Sequence, residues 1–207
     1  MGLFITLEGI DGAGKSTQAQ HLAERLRGGG WDVVLTREPG GSSGAEEIRR
    51  LLVEGEPGRW SPETEILLFT AARRDHVERT IRPALDAGQV VICDRFVDST
   101  RAYQGSTGLR RMVDALHDMM IGLEPDLTLI FDLDPEEGLG RTDSRGTGED
   151  RFEQKGLDFQ KQLRSAFQTI AFEDKDRCRI ITADRSPEEV SGAVWDAVRP
   201  LLEGADG

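Results

Sequence analysis

The sequence predicts one α/β domain over residues 1–207, with a five-stranded parallel sheet that carries helices on both faces. Three observations indicate this fold. Short apolar, β-prone segments alternate with longer segments whose apolar residues recur at helical spacing. Each predicted strand is joined to the next by a helical crossover, which is the connection that parallel strands need. A phosphate-binding loop pattern also lies between the first predicted strand and the first predicted helix, where that pattern is expected.

The first predicted strand, residues 3–8, runs directly into this loop, and a predicted helix over residues 15–27 follows it. The loop glycines let backbone N–H groups face one concave surface, which binds phosphate oxygens together with the helix N-terminus. We expect Lys15 to contact the β- and γ-phosphates and Ser16 to bind Mg²⁺. The residues predicted to bind a nucleoside triphosphate are Gly9, Ile10, Asp11, Gly12, Ala13, Gly14, Lys15, Ser16 and Thr17.

The other predicted strands are apolar, β-prone runs bounded by turn residues. They cover residues 32–36, 90–93, 127–133 and 179–182. The other helices are predicted over residues 45–53, 63–87, 98–104, 108–121, 157–172 and 186–202, and a short one begins at Pro135. Pro83 is expected to kink or break its helix. Ser186 and Glu189 have the spacing of a capping box at the start of the last helix.

Composition narrows the range of functions. The net charge of −12 argues against a general nucleic-acid binder and against a protein that binds anionic membranes. No apolar run approaches the roughly 18 residues of a membrane span, and the N-terminus shows no signal region. Cys93 and Cys178 lie in strand-like segments, so we expect reduced core thiols in a cytoplasmic protein.

Charged residues follow the predicted strands, at the sheet edge where ligands of parallel α/β proteins bind. Arg37 and Glu38 follow the second strand, and Asp94 with Arg95 follows the third. Asp94 is a candidate ligand of Mg²⁺, and so are Asp132 and Asp134 after the fourth strand. A solvated strand end is the alternative for each carboxylate. We favour Asp94, because Arg95 beside it suits an anionic substrate.

A glycine-rich segment, about residues 138–151, carries Arg141, Arg145 and Arg151. Its composition also fits a solvated loop. As a mobile lid, the segment would bring arginines to the transferring phosphoryl group, where one arginine is worth about 10³–10⁵ in rate. A lid would also exclude water as a competing acceptor.

Phe69 and Arg73 lie on one face of a predicted helix, where an aromatic plane and a hydrogen-bonding fork suit a flat polar base. Their spacing alone favours a core phenylalanine and a surface arginine. The three histidines show no pairing with serine or cysteine in a nucleophile motif. A phosphate acceptor needs no general base, because its attacking oxygen is already ionised.

Taken together, five motifs resemble those of the thymidylate kinase family. They lie in chain order at residues 36–41, 68–73, 94–96, 99–105 and 150–153, and the combination is far more specific than the phosphate-binding loop. The resemblance implies a P-loop nucleoside monophosphate kinase that transfers the γ-phosphoryl group of ATP to dTMP with Mg²⁺, in dTTP synthesis. It also implies a homodimer.

The resemblance assigns roles at the acceptor site. Phe69 would stack on thymine, Arg73 would donate hydrogen bonds to it, and Arg95 would bind the dTMP phosphate. Tyr103 would crowd the sugar 2′ position. The other residues implied to line this site are Asp11, Glu38, Ser99, Thr100 and Gln104.

The phosphate-binding loop lacks an arginine, so the sequence resembles the bacterial subgroup that carries basic residues in the lid. Phe96 and Asp143 depart from the family pattern, since tyrosine or histidine is commoner at the first position and a basic residue at the second. The predicted catalytic residues are Lys15, Asp94, Arg95, Arg141, Arg145 and Arg151. Two alternatives remain open. One is a kinase for another nucleotide or a nucleoside, with Glu38 as a base, and the other is a nucleotide-switched binding protein or motor ATPase.

Overall fold

The structure, a computed structural model, describes residues 2–56, 58–143 and 156–205. It contains a five-stranded sheet in the order β2-β3-β1-β4-β5, and every strand pair is parallel. The strands are β1 (Leu3–Gly9), β2 (Val33–Arg37), β3 (Val90–Asp94), β4 (Leu127–Asp132) and β5 (Cys178–Thr182). The predicted fold class is confirmed, and each predicted strand is present with ends shifted by one residue.

The helices occupy the predicted crossovers. They are α1 (Lys15–Gly28), α2 (Ser43–Val53), α3 (Pro62–His76), α4 (Arg82–Asp86), α5 (Val97–Tyr103), α6 (Arg110–Met120), α7 (Pro135–Asp143), α8 (Gly156–Glu173) and α9 (Pro187–Ala205). The capping box before α9 is confirmed. The backbone N–H of Ser186 donates to Glu189 Oε2 at 3.0 Å, and the N–H of Glu189 donates back to Ser186 Oγ at 3.3 Å.

The long helix predicted over residues 63–87 is interrupted before its proline. A π-helical turn, Val77–Ile81, separates α3 from α4, and Pro83 lies in the first turn of α4. Proline has no N–H to donate, and its ring clashes with the carbonyl four residues earlier, so the preceding turn widens. The disturbance expected at Pro83 therefore takes the form of this π-helical turn, through which the helical backbone continues into α4.

The predicted lid differs from expectation in the part that the structure describes. We predicted that the short helix beginning at Pro135 would give way to a loop, but α7 continues to Asp143. Gly138 allows close packing in this helix, because a Cβ atom there would lie 2.7 Å from the carbonyl oxygen of Asp11. The glycine therefore lets α7 pass against the phosphate-binding loop. Arg145, Arg151 and the motif at 150–153 lie outside the described residues.

Both faces of the sheet are covered by apolar side chains. Alternate residues of β1 contribute to opposite layers, Ile5 to the core under α1, α8 and α9 and Phe4 to the core under α3 and α6. This arrangement explains the continuous apolar runs of the central strands. Cys93 and Cys178 are buried free thiols. Among the described residues, no helix is long and apolar enough to cross a membrane.

Candidate active site

A cavity at the carboxyl edge of the sheet gathers all of the residues that the sequence predicted for the acceptor. Its lining includes Asp11, Glu38, Phe69, Arg73, Arg95, Ser99, Thr100, Tyr103 and Gln104. These residues come from the phosphate-binding loop, from the end of β2, from α3 and from the segment after β3. The parallel topology brings them together, because the carboxyl ends of all five strands meet at one edge.

The phosphate-binding loop has the backbone that its glycines predict. Gly12 and Gly14 have φ angles of 77° and 86°, in the left-handed region that favours glycine. Lys15 is buried and its Nζ donates to the carbonyl oxygen of Ile10 at 2.7 Å. Burial and the nearby positive charge of Arg95 lower the pKa of Lys15 to about 8. The ammonium group is therefore still mostly charged at neutral pH and lies within the loop.

The two predicted magnesium ligands lie against each other at the start of α1. Ser16 Oγ donates to Asp94 Oδ2 at 2.5 Å. Asp132 is already neutralised by Arg164, whose Nε and Nη2 lie 2.7 and 2.9 Å from its carboxylate oxygens. This contact favours Asp94 over Asp132 as the metal ligand.

A hydroxyl and a carboxylate suit a hard cation such as Mg²⁺, which takes its remaining ligands from waters and substrate phosphates. Within the described part of the chain, no group of three His, Cys, Asp or Glu side chains forms a protein-only metal site. The pair of Ser16 and Asp94 therefore fits a magnesium ion that arrives with a nucleotide.

Arg95 projects into the cavity from an unusual backbone conformation. Its φ of 70° is in the left-handed region, which a non-glycine residue rarely adopts. Its Nη1 donates to the carbonyl oxygen of Gly9 at 3.0 Å and to Ser99 Oγ at 2.9 Å, and its Nη2 donates to Asp11 Oδ1 at 2.5 Å. The guanidinium group thus joins the phosphate-binding loop to the wall of this cavity.

Asp11 belongs to the phosphate-binding loop and also lines this cavity. Tyr103 donates its hydroxyl to Asp11 Oδ2 at 3.1 Å, while Arg95 binds the other carboxylate oxygen. Burial by itself would raise the pKa of Asp11, but the positive charges of Arg95 and Lys15 hold that pKa below its usual value. Asp11 is therefore an ionised acceptor of hydrogen bonds at neutral pH.

Arg73 is buried, whereas its helical spacing alone had favoured a cation on the surface. Only 3% of its side chain is exposed. Its Nε donates to Glu38 Oε2 at 2.7 Å and its Nη2 donates to Thr100 Oγ1 at 3.0 Å. Glu38 also pairs with His76 Nδ1 at 3.1 Å. The buried ion pair holds the guanidinium fork beside Phe69 in the wall of the cavity.

Phe96, the departure from the family pattern, lies at the base of this arrangement. It is fully buried, and its ring packs edge-on against Phe4 with centroids 5.0 Å apart. The guanidinium carbon of Arg73 lies 5.0 Å from the Phe96 ring centroid. The aromatic ring therefore supports Arg73 through a cation–π contact, where the commoner residues would offer a polar group.

Two supporting residues carried no sequence signal. Glu65 accepts a hydrogen bond from Gln104 Nε2 at 3.1 Å, and both side chains are buried. Gln160 of α8 faces Asp11, and within the described residues its buried amide atoms make no hydrogen bond of normal geometry. Both residues lie on amphipathic helices, where a glutamine or glutamate is expected to be exposed, and so periodicity could not find them.

A second cavity lies on the other side of the phosphate-binding loop, at the carboxyl end of β5. Arg141 borders it and contacts the carbonyl oxygen of Ala183 at 3.4 Å. Ala183 and Arg185 follow β5 and also line this cavity. Sequence reasoning missed these two residues, although both lie just after a strand end, the position that identified Asp94. Of the predicted lid arginines, the structure places only Arg141, beside the donor side of the loop.

Comparisons with known proteins identify relatives of this chain. A family model described as "Thymidylate kinase" matches residues 7–194. The thymidylate kinase of Ruegeria pomeroyi is 63% identical over 199 residues, which cover 95% of this chain and 94% of that protein. That of Caulobacter vibrioides is 54% identical over 200 residues, covering 95% and 96%.

A solved structure gives the same result. The crystal structure of thymidylate kinase from Ehrlichia chaffeensis superimposes with a TM-score of 0.77 at 37% sequence identity, and the match covers 95% of this chain and 98% of that one. The family-model match includes the residues that line both cavities. The chain belongs to the thymidylate kinase family.

Proposed function

We propose that the chain transfers the γ-phosphoryl group of ATP to dTMP and releases dTDP and ADP. One observation carries this proposal: a single cavity joins Arg95, suited to an acceptor phosphate, to Phe69 and Arg73, suited to a planar base. The cavity adjoins the phosphate-binding loop through Asp11. An acceptor phosphate oxygen is already ionised, so the residues need only orient it and neutralise charge.

The donor phosphates would lie on the backbone N–H groups of residues 9–17 and the N-terminus of α1. Lys15 would exchange its contact with the Ile10 carbonyl for the β- and γ-phosphates. Ser16 and Asp94 would hold Mg²⁺, which when bound neutralises charge on the phosphates. We also propose that Arg141, Arg145 and Arg151 form the predicted lid.

The acceptor would be oriented from both of its ends. Arg95 would bind its phosphate, while Phe69 and Arg73 would hold thymine. The pair of Tyr103 and Asp11 lies between these ends and would meet the sugar, where the Tyr103 ring disfavours a ribose 2′-hydroxyl. Thr100 and Gln104 would complete the base pocket.

The test is ADP formation with a panel of acceptors at equal concentration. The expected order places dTMP far above AMP, CMP and GMP, because those bases differ from thymine in their hydrogen-bonding edges. Thymidine is expected to be inert, because it lacks the phosphate that Arg95 binds. Equal rates with all acceptors, or ADP formation without any acceptor, would contradict the proposal.

Replacement of Arg73 by lysine is expected to raise the KM for dTMP by about tenfold or more and to change kcat less. Lysine keeps the positive charge opposite Glu38 but cannot also reach Thr100, and a hydrogen bond to a charged group contributes about 1.5–3 kcal/mol. Steady-state kinetics with dTMP and with ATP measure the effect. Arg74→Lys is the matched control, because Arg74 is the neighbouring residue but is half exposed and pairs with Glu78. Equal KM values for both variants and the wild type would remove Arg73 from the base pocket.

We also propose that two copies of the chain associate through α2, α3 and α6. These helices leave Leu51, Leu67, Met119 and Met120 exposed, with Met119 at 77%. The side chain of Arg74 joins α3 to α6, since its Nη1 donates to the carbonyl oxygen of Met120 at 2.6 Å. A large exposed apolar patch is typical of an interface.

Sedimentation is expected to give about twice the chain mass of 22.9 kDa. Leu67→Glu is expected to shift the protein to the monomer, because a charge at an apolar interface core is costly. A wild-type protein that sediments as a stable monomer would contradict the dimer. We further propose a cytoplasmic location, which suits the buried free thiols of Cys93 and Cys178.

A further inference from the structure

Glu8 is a buried carboxylate beside the site that the phosphoryl-transfer scheme does not use. It lies in β1 just before the phosphate-binding loop, and none of its surface is exposed. Its Oε1 accepts a hydrogen bond from the backbone N–H of Phe96 at 2.7 Å. Its Oε2 accepts one from Ser99 Oγ at 2.5 Å. Both donors belong to the segment that follows β3, so one carboxylate joins β1 to this segment at two points.

The segment that Glu8 joins contains the strained residue Arg95. A φ of 70° at Arg95 costs free energy and persists only where surrounding contacts stabilise it. The backbone N–H of Arg95 donates to the carbonyl oxygen of Leu7 at 2.9 Å, and the next N–H donates to Glu8. Two neighbouring residues of β1 therefore hold the backbone conformation that directs Arg95 into the cavity.

The side chain of Arg95 depends on Glu8 as well, through Ser99. A hydroxyl has one proton to donate, and Ser99 gives it to Glu8 Oε2. The lone pairs of Ser99 Oγ are then directed to Arg95 Nη1, which donates at 2.9 Å. Arg95 therefore donates to Ser99, and Ser99 donates to Glu8. The carboxylate fixes the direction of both hydrogen bonds, because it can only accept.

We propose that Glu8 is a positioning residue for phosphoryl-acceptor binding, which holds Arg95 in place through Ser99 and the backbone N–H of Phe96. This proposal rests on the proposed role of Arg95 in binding the acceptor phosphate. Glu8 does not touch the substrate. It sets the direction of a guanidinium group that does.

Only the ionised carboxylate can fill this position, because it must accept from two donors at once. A glutamine would accept one hydrogen bond and present an N–H₂ group to the other donor. Ser99 would then accept from both glutamine and Arg95, and its own proton would lose its acceptor. Glu8→Gln therefore changes the donor order with little change in volume.

The expected result for Glu8→Gln is a rise of about tenfold in the Kd for dTMP, equivalent to about 1.4 kcal/mol, with the Kd for ATP changed less than about twofold. Binding of thymidine, which lacks the phosphate, is expected to stay unchanged. Isothermal titration with dTMP, thymidine and ATP measures these constants. Thr6→Val is the matched control, because Thr6 is equally buried in β1 but bonds Thr128 and not the Arg95 segment.

The pH profile separates positioning from a purely structural role. Burial and the nearby negative charge of Asp98 raise the pKa of Glu8 from 4.5 to about 7. The charged and titratable groups around it are Lys15, Cys93, Arg95, Asp98, Tyr103 and Cys178. Above pH 7 the ionised Glu8 accepts both hydrogen bonds, and below that pH it loses one of them.

We therefore expect dTMP affinity in the wild type to fall as pH drops through about 7, and this fall to be smaller in Glu8→Gln. The phosphate of dTMP also titrates, with a second pKa of about 6. Its titration contributes equally to the pH dependence of dTMP affinity in both proteins. The folding stability of the protein is expected to change with pH in the opposite direction to the dTMP affinity. The raised pKa of Glu8 favours the folded state at low pH, and this contribution is lost as pH rises through about 7.

Four outcomes would overturn the proposal. One is a folded Glu8→Gln protein that binds dTMP as the wild type does, and another is an equal loss of dTMP and ATP binding. If Glu8→Gln does not fold, Ser99→Ala tests the same relay, and unchanged dTMP affinity in that variant overturns it. If Arg95→Ala leaves dTMP affinity unchanged, the failure lies in the proposed role of Arg95 and both proposals fall together. If dTMP affinity falls in Arg95→Ala but not in Glu8→Gln, only the role proposed for Glu8 is overturned.

Discussion

Replacement of Arg95 by alanine is expected to lower kcat/KM for dTMP by about 10²–10³-fold, the effect of removing one preorganised charge donor from a transition state. Arg95 has charged partners on the donor side and open cavity on the acceptor side, so its loss leaves the acceptor phosphate unneutralised. The loss also frees Asp11, whose carboxylate then repels the incoming phosphate. Initial rates over a matrix of dTMP and ATP concentrations measure both contributions.

The control for Arg95→Ala is Arg199→Ala. The Arg199 side chain is 57% exposed on α9 and forms only a 4.0 Å pair with Glu203, so its removal changes net charge by the same amount without touching the cavity. Surface substitutions of this kind usually change stability by less than about 0.5 kcal/mol. If Arg95→Ala and Arg199→Ala keep the same kcat/KM for dTMP, Arg95 does not bind the acceptor phosphate.

Replacement of Lys15 by alanine is expected to lower kcat by about 10²–10³-fold, with a smaller change in the Kd for ATP. The backbone N–H groups of the loop still bind the phosphates, whereas the charge that follows the transferring phosphoryl group is gone. The hydrogen bond to the carbonyl of Ile10 is also lost, and because this contact is buried, folding of the variant has to be checked. Single-turnover measurements with bound ATP and dTMP separate kcat from binding.

Lys175→Ala is the control for this variant, because Lys175 is an exposed cation that lies over the ring of Phe172 and is remote from both cavities. Circular dichroism and thermal unfolding establish whether each variant is folded. A folded Lys15→Ala protein with a single-turnover rate close to that of Lys175→Ala would show that the loop lysine does not serve phosphoryl transfer.

The sequence by itself was sufficient for the sheet and for the phosphate-binding loop. Local signals determine these features: the central strands are apolar on both faces, and the glycine spacing of residues 9–14 permits the backbone of the phosphate-binding loop. The resemblance to a known family, and not a local signal, pointed to Phe69, Arg73 and Tyr103, which the fold brings into one cavity. The capping box at Ser186 and the interruption before Pro83 also depend on neighbours in sequence, and both were predictable.

Only the tertiary structure decided what depends on contacts between distant segments. Arg73 became a buried partner of Glu38, 35 residues away, although its helical position alone indicated a surface cation. Asp132 is paired with Arg164, which favours Asp94 as the metal candidate, and Gly138 is a packing position against Asp11. Glu8 had no signal at all, because its partners lie 88 and 91 residues further along the chain. Sequence periodicity reports which face of an element is buried, but the partner of a buried charge is chosen by the folded chain.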